Sequence, residues 1–173
     1  MSQEILMDID QFWGLIETSR KGVDNCDDQA DKLTALLEQL EPAEIVSFKH
    51  RFDFYMGQPY RWDLWAVAYI VNGGCSDDSF DYFRSWLIGQ GREYFMAALN
   101  DPQRAADNAG VDGECEGEAL MYSAYDAYES KTGKSEFPQT AVAEVVSHEP
   151  AGEQWDEDNL PELFPELCEK FGF

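Results

Sequence analysis

The chain has 173 residues, enough for one domain with a sizeable core, and its 44% hydrophobic and 14% aromatic content argues against disorder of the whole. Twelve basic residues stand against 35 acidic ones, a net charge of −23, with −9 carried by residues 1–100 and −14 by residues 101–173. Direct nucleic-acid binding and attachment to an anionic membrane surface both need basic patches, so both are disfavoured, while solubility and a basic protein partner fit the charge.

The opening MSQEILMDIDQFW has neither the basic start nor the apolar run of a signal peptide. Ile9, Phe12, Trp13 and Ile16 then fall at helical spacing behind Asp8, a good N-cap. Leu33, Leu36, Leu37 and Leu40 repeat the pattern up to Pro42, which opens a third stripe of Ile45, Phe48, Phe52 and Tyr55. Residues 62–72 are apolar nearly all round and read as the buried central helix, ended by Gly73 and Gly74. Their most apolar run, WAVAYIV (65–71), is far too short to span a bilayer. Ser76 caps a fifth helix that buries Phe80, Phe83 and Leu87, and Gly89 and Gly91 separate it from 92–100. A further helix is expected over 118–132, with Met121, Tyr125 and Tyr128 on its buried face and Thr132-Gly133 as its stop. Residues 140–147 fit a strand or a turn of helix. Leu160, Leu163, Phe164, Leu167 and Phe171 give a Pro-containing C-terminal arm the means to dock on the body. The expected fold is mainly α: a compact single domain of six to eight helices, with a helical core over 1–148 and an acidic arm, 149–173, belonging to the same domain.

The densest stretch for chemistry is Gly74–Arg84. Asp77, Asp78 and Asp81 spell D-D-x-x-D, the spacing by which isoprenoid synthases hold Mg²⁺ on a helix, and Asp77 and Asp81 share a face. No second acidic motif or basic cluster accompanies them, however. A structural account explains most of the residues: Ser76 caps, and Asp77 and Asp78 each gain about 0.3–1 kcal/mol from the helix dipole. Asp81 pairs with Arg84 at i, i+3, and only the Asp77/Asp81 repulsion is left over. Cys75 precedes a helix N-terminus, where a thiol can be activated, but the adjacent aspartates oppose a thiolate and only His50 and His148 are available as bases. The four cysteines (26, 75, 115, 168) form no CxxC pair and read as reduced thiols in a cytoplasmic protein.

Other sites fail on pattern. There is no G-x-S-x-G, H-E-x-x-H or P-loop, and GQGREYF (89–95) is a turn between helices. DGECEGE (112–118) approaches a calcium loop, with Asp112, Glu114 and Glu116 at positions one, three and five and Gly117 at six, but position twelve is Ser123. In EQWDED (153–158), Trp155 reads as an anchor for the arm or as an epitope.

FWGLIE (12–17), LWAVAYIVNGGCSDDSFDYFRSWLIGQGREYF (64–95), YDAYESKTG (125–133) and GEQWDEDNLPELFPEL (152–167), in that order, resemble the bacterial domain-of-unknown-function family DUF4240. The resemblance implies a small cytoplasmic protein and carries no reaction, cofactor or catalytic residue. The expectation is therefore a non-catalytic, acidic interaction module that recognises a protein partner, with no cofactor. The alternative is a small-ligand or Mg²⁺ site, or an enzyme, using Cys75, Ser76, Asp77, Asp78, Asp81, Arg84 and Trp86. A third reading makes Cys75 a redox sensor.

Overall fold

Local signals start and stop most of the helices. The computed structural model describes residues 6–110, 115–138 and 148–173. Asp8 accepts from the amides of Asp10 and Gln11 at 3.1 Å and opens α1 (Ile9–Arg20). Asn25 takes the Asp28 amide at 2.8 Å and opens α2 (Cys26–Leu37). Pro42 sits in the first turn of α3 (Pro42–Gly57), where the Glu44 carboxylate accepts from the Glu41 amide at 2.9 Å. Helix α4 (Trp62–Asn72) ends on Gly73, whose φ of 68° only glycine adopts cheaply. Beyond it come α5 (Asp77–Gly89), α6 (Arg92–Asn100), the 3₁₀ helices Pro102–Ala106 and Glu118–Tyr122, and α7 (Ser123–Thr132). The arm adds the 3₁₀ turn Glu157–Asn159, α8 (Leu160–Leu163) and α9 (Pro165–Phe171). Among the described residues there are nine α-helices and no strand; the total passes the expected six to eight because α8 and α9 are pieces of four and seven residues. Residues 140–147 lie outside the described ones.

Helix α4 buries Leu64, Ala66, Val67, Ala68, Ile70 and Val71, as its all-round apolar sequence requires. It shares the centre with α5, which packs against α1, α2, α3, α4 and α6 and buries an unbroken run from Phe83 to Gly89. An aromatic cluster joins α1, α3 and α6: Trp13 lies 4.8 Å from Tyr55 and 5.4 Å from Phe95, and Phe12 lies 4.9 Å from Phe48.

Two apolar faces differ from their sequence patterns. Ile9 is 38% exposed, because Met7 ahead of the cap fills the place beside α3 and donates its amide to Ser47 O at 3.3 Å. Residues 118–132 break into a 3₁₀ helix and α7, and the face turned inward is Ser123, Ala124 and Ala127. Small side chains let α7 approach α2 and α3 closely. Tyr125, 41% exposed, and Tyr128 instead pack edge-on against Phe137 at 4.8 and 5.1 Å.

The arm lies along α4. Leu160 is fully buried and Leu167 and Cys168 are nearly so, whereas Leu163 is 53% exposed. The Trp155 indole N–H donates to Trp62 O at 2.7 Å, which makes this tryptophan an anchor.

Candidate functional site

The Gly74–Arg84 turn is built as its cap signals dictate. Ser76 Oγ accepts the Ser79 amide at 3.3 Å, and Asp77 and Asp78 stand exposed in the first turn of α5. Asp81 pairs with Arg84, whose charge offsets the repulsion from Asp77. The Arg84 guanidinium is buried: it donates to Met56 O at 2.6 Å and lies 4.7 Å over the Tyr60 ring and 5.0 Å over Phe80. Burial pulls its pKa below the ordinary arginine value and Asp81 opposes the fall, an arrangement that holds α5 to the end of α3. The other arginines near in sequence or charge go elsewhere. Arg51 donates to Met7 O at 2.8 Å, Arg61 grips Asp63 at 2.7 and 3.0 Å, and Arg92 reaches Asp10 at 3.0 Å. No diphosphate cradle therefore forms around the D-D-x-x-D spacing, and among the described residues no three His, Cys, Asp or Glu side chains converge as a metal-ligand set.

Cys75 is half-buried, with Sγ 3.7 Å from Ser76 O. Burial pushes its thiol up to about 12, with Glu116 adding to the shift and Arg84 opposing it. A thiol held protonated at neutral pH is a poor nucleophile, and the main cause is desolvation rather than the neighbouring aspartates. His50 is buried in α3 and His148 is exposed.

A second place emerges where the chain comes back onto α5. The Gly117 amide donates to Tyr82 O at 2.8 Å, and its carbonyl accepts from Ser85 Oγ at 2.7 Å. The contact is so close that a Cβ on Gly117 would lie 2.5 Å from Trp86 N. This fixes the following 3₁₀ helix against α2 and α5, with Leu120 buried over Gly89. Below it, the buried Gln29 amide donates to Gly89 O at 2.8 Å and to Ser19 Oγ at 3.3 Å, tying α2 to α5 and α1. Ser123, the twelfth position of the would-be calcium loop, is buried with its hydroxyl on Ala30 O at 3.2 Å and cannot supply a ligand; Asp112 and Glu114 lie outside the described residues.

Between the end of α1, the start of α2, the end of α5 and residues 116–122, these contacts leave an open cleft of about 900 Å³. Trp86, Ala119 and Tyr122 give it apolar surface, and Asp24, Asp27, Glu116 and Glu118 give it four carboxylates. Among the described residues its lining cation is Arg20, which donates to Gln90 O, and Asn108 Nδ2 donates to Gln90 Oε1 at 2.8 Å. Cys26 also lines the cleft, at the first position of α2, where a helix dipole favours a thiolate; burial nevertheless dominates and pushes its thiol up to about 11.

Of the residues singled out at Gly74–Arg84 and its tryptophan, Trp86 alone lines the cleft, together with Glu116 of the acidic loop and Cys26. Cys75, Ser76, Asp77, Asp78, Asp81 and Arg84 do not; Asp81 pairs with Arg84, Cys75 lies against Ser76 O, and the Arg84 charge reaches the Cys75 thiol. The acidic loop around Gly117 and the run DNCDDQ (24–29) are the sequence signals for the cleft, and neither resembles a catalytic motif.

Residues 7–130 match the family described as protein of unknown function (DUF4240). No curated protein and no solved structure matches the chain. The match takes in both places just described and stops short of the arm.

Proposed function

We propose that this chain, which belongs to the DUF4240 family of proteins of unknown function, is a non-catalytic module that binds a basic segment of a protein partner in the cleft beside Trp86. One observation carries the reading: four carboxylates share the cleft with two aromatic side chains, while Arg20, the lining cation, is engaged with Gln90 O. An arginine or lysine side chain entering there meets charge-assisted hydrogen bonds at the rim and ring faces to lie against. The volume, about 900 Å³, suits a few side chains of a peptide. The net charge of −23 steers a basic partner in, raising the association rate at low salt. Catalysis gets no support from the two thiols best placed for it, since Cys26 and Cys75 are held protonated by burial.

The alternative, a ligand or Mg²⁺ site at Gly74–Arg84, gains nothing from a pair of water-facing aspartates and a sequestered arginine. A cytoplasmic location goes with the reading, because four free thiols suit a reducing compartment. Among the described residues no helix is long and apolar enough to cross a membrane.

Calorimetric titration with Arg-rich, Lys-rich and acidic peptides tests the proposal. Basic peptides are expected to bind, with affinity falling as salt rises, and Asp27→Asn together with Glu118→Gln is expected to weaken them about tenfold or more. Equal affinity of the double variant, or no discrimination between basic and acidic peptides, refutes it.

A further inference from the structure

The arm, residues 149–173, docks through rings and backbone. The Trp62 amide donates to Ala151 O at 2.9 Å and the Ala151 amide to Tyr60 O at 3.0 Å, a short parallel bridge. Trp155 stands edge-on to Tyr69 at 5.3 Å and to Trp62 at 6.3 Å, and Phe173 meets Tyr69 at 5.8 Å. Leu160 and Leu167 are buried, and α9 packs along α4. Apart from the hydrogen bond that the Tyr69 hydroxyl donates to Glu157, electrostatics works against all of this. The arm carries eight carboxylate side chains and one lysine, a net −7, and it rests on a body whose formal charge is −16. Among the described residues, none of Glu153, Asp156, Glu157, Asp158, Glu162, Glu166 and Glu169 forms a salt bridge with a body cation. The aromatic cluster of α1, α3 and α6 is complete without the arm, which also falls outside the family match.

We infer that the arm is a strap gated by ionic strength: it closes over the aromatic face of α4 when charge is screened, and lifts from a folded body when it is not. Like-charge repulsion between arm and body reaches about 30 Å at 0.01 M salt and only about 8 Å at 0.15 M, whereas ring packing and backbone hydrogen bonds change little over that range. Lifting uncovers Trp62 and Tyr69, so salt, or a polycation that neutralises the arm, controls access to that face.

Amide hydrogen exchange on the full chain at fixed pH reads the strap directly. The Ala151 and Trp62 amides report closure, and Phe52 and Leu87, in α3 and α5, report the body. Between about 300 mM and about 10 mM NaCl, exchange at Ala151 and Trp62 is expected to speed up about tenfold, with Phe52 and Leu87 unchanged. The triple variant Glu162→Gln/Glu166→Gln/Glu169→Gln removes three exposed charges and no anchor, and is expected to cut the logarithm of that salt effect by roughly half. Trp155→Ala is expected to give fast exchange at every salt concentration; if it unfolds the protein, the triple variant still decides. Choline chloride must act as NaCl does. Salt-independent exchange at Ala151 and Trp62, exchange that rises in step with Phe52 and Leu87, or an effect confined to one cation overturns the inference.

Discussion

Replacing Gly117 with alanine tests how the cleft is built. The backbone there has φ −119°, open to any residue, so the cost is overlap and not conformation. The new Cβ would lie 2.5 Å from Trp86 N, 2.8 Å from Trp86 Cα and 2.9 Å from Ser85 C, all backbone atoms in the interior of α5 that cannot move aside. An ordinary contact needs about 3.5 Å, so residues 115–118 must lift by about 1 Å. That stretches both the Gly117–Tyr82 bond of 2.8 Å and the Ser85–Gly117 bond of 2.7 Å beyond useful length, and leaves the fully buried Ser85 hydroxyl without its acceptor. Two bonds at about 1 kcal/mol each, with residual overpacking of about 1–2 kcal/mol, give a loss of about 3–4 kcal/mol. In a urea titration the midpoint is expected to fall by about 1–2 M. Because Glu116 and Glu118 flank the glycine, basic-peptide affinity is expected to drop as well. A midpoint within about 0.3 M of the parent, with peptide affinity unchanged, would show that the loop does not rest on α5 as described.

Gly14, in the exposed middle of α1 with no atom near a new Cβ, gives the opposite result: Gly14→Ala is expected to raise stability by about 0.5–1 kcal/mol in the same titration. Gly89→Ala meets side-chain atoms rather than backbone, Leu120 Cδ1 at 2.7 Å and the Gln29 amide at 3.3 and 3.5 Å, so its loss is expected to be about 1–2 kcal/mol, under that of Gly117→Ala. Arg84→Lys removes the fork between Met56 O and Asp81 and is expected to cost about 1–3 kcal/mol by thermal melting, while Asp78→Asn, losing only its dipole interaction, costs about 0.3–1 kcal/mol. The thiols set an alkaline limit: an ordinary cysteine titrates near 9.0, whereas burial holds Cys26 to about 11 and Cys75 and Cys115 to about 12. The native state therefore keeps protons that the unfolded chain releases. Stabilisation from this source is whole below pH 9 and is lost as pH climbs from 9 through 12, so the urea midpoint is expected to fall as pH rises above about 9, less steeply in Cys115→Ala.

Where sequence and structure agree, one local interaction decides the outcome. Asp8 and Ser76 each bond an amide in the turn they open, and Gly73 and Gly133 adopt the left-handed conformation that ends a helix. The departures come from competition between neighbours in space. Ile9 is exposed because Met7 takes its place, and Tyr125 faces out because two alanines suit a tight approach to α2 and α3 better than rings do. Periodicity marks a stripe, but which of two adjacent stripes goes inside depends on how near the next helix must come.

The candidate site is the least legible part, and the reason is structural. Residues 74–84 stand out in the sequence because charged and polar types are crowded into a few positions, yet each serves its own helix. Ser76 caps, Asp77 and Asp78 meet the helix dipole, and Asp81 and Arg84 hold one another. The cleft gathers residues from 20 to 122 that have no motif in common. What assembles them is Gly117, whose missing side chain lets one loop lie against the backbone of α5, and Gln29, whose buried amide joins α1, α2 and α5. Carboxylates from residues 24–27 and from residues 116–118 then line one cleft with Trp86, and a set that reads as ordinary solvated charge along the chain becomes a candidate site only through that packing. Trp86 marks the junction: it lies 5.8 Å from Phe83 in the core and turns its remaining surface to the cleft, so a cationic ligand bound there would act on a ring already held in place by α5.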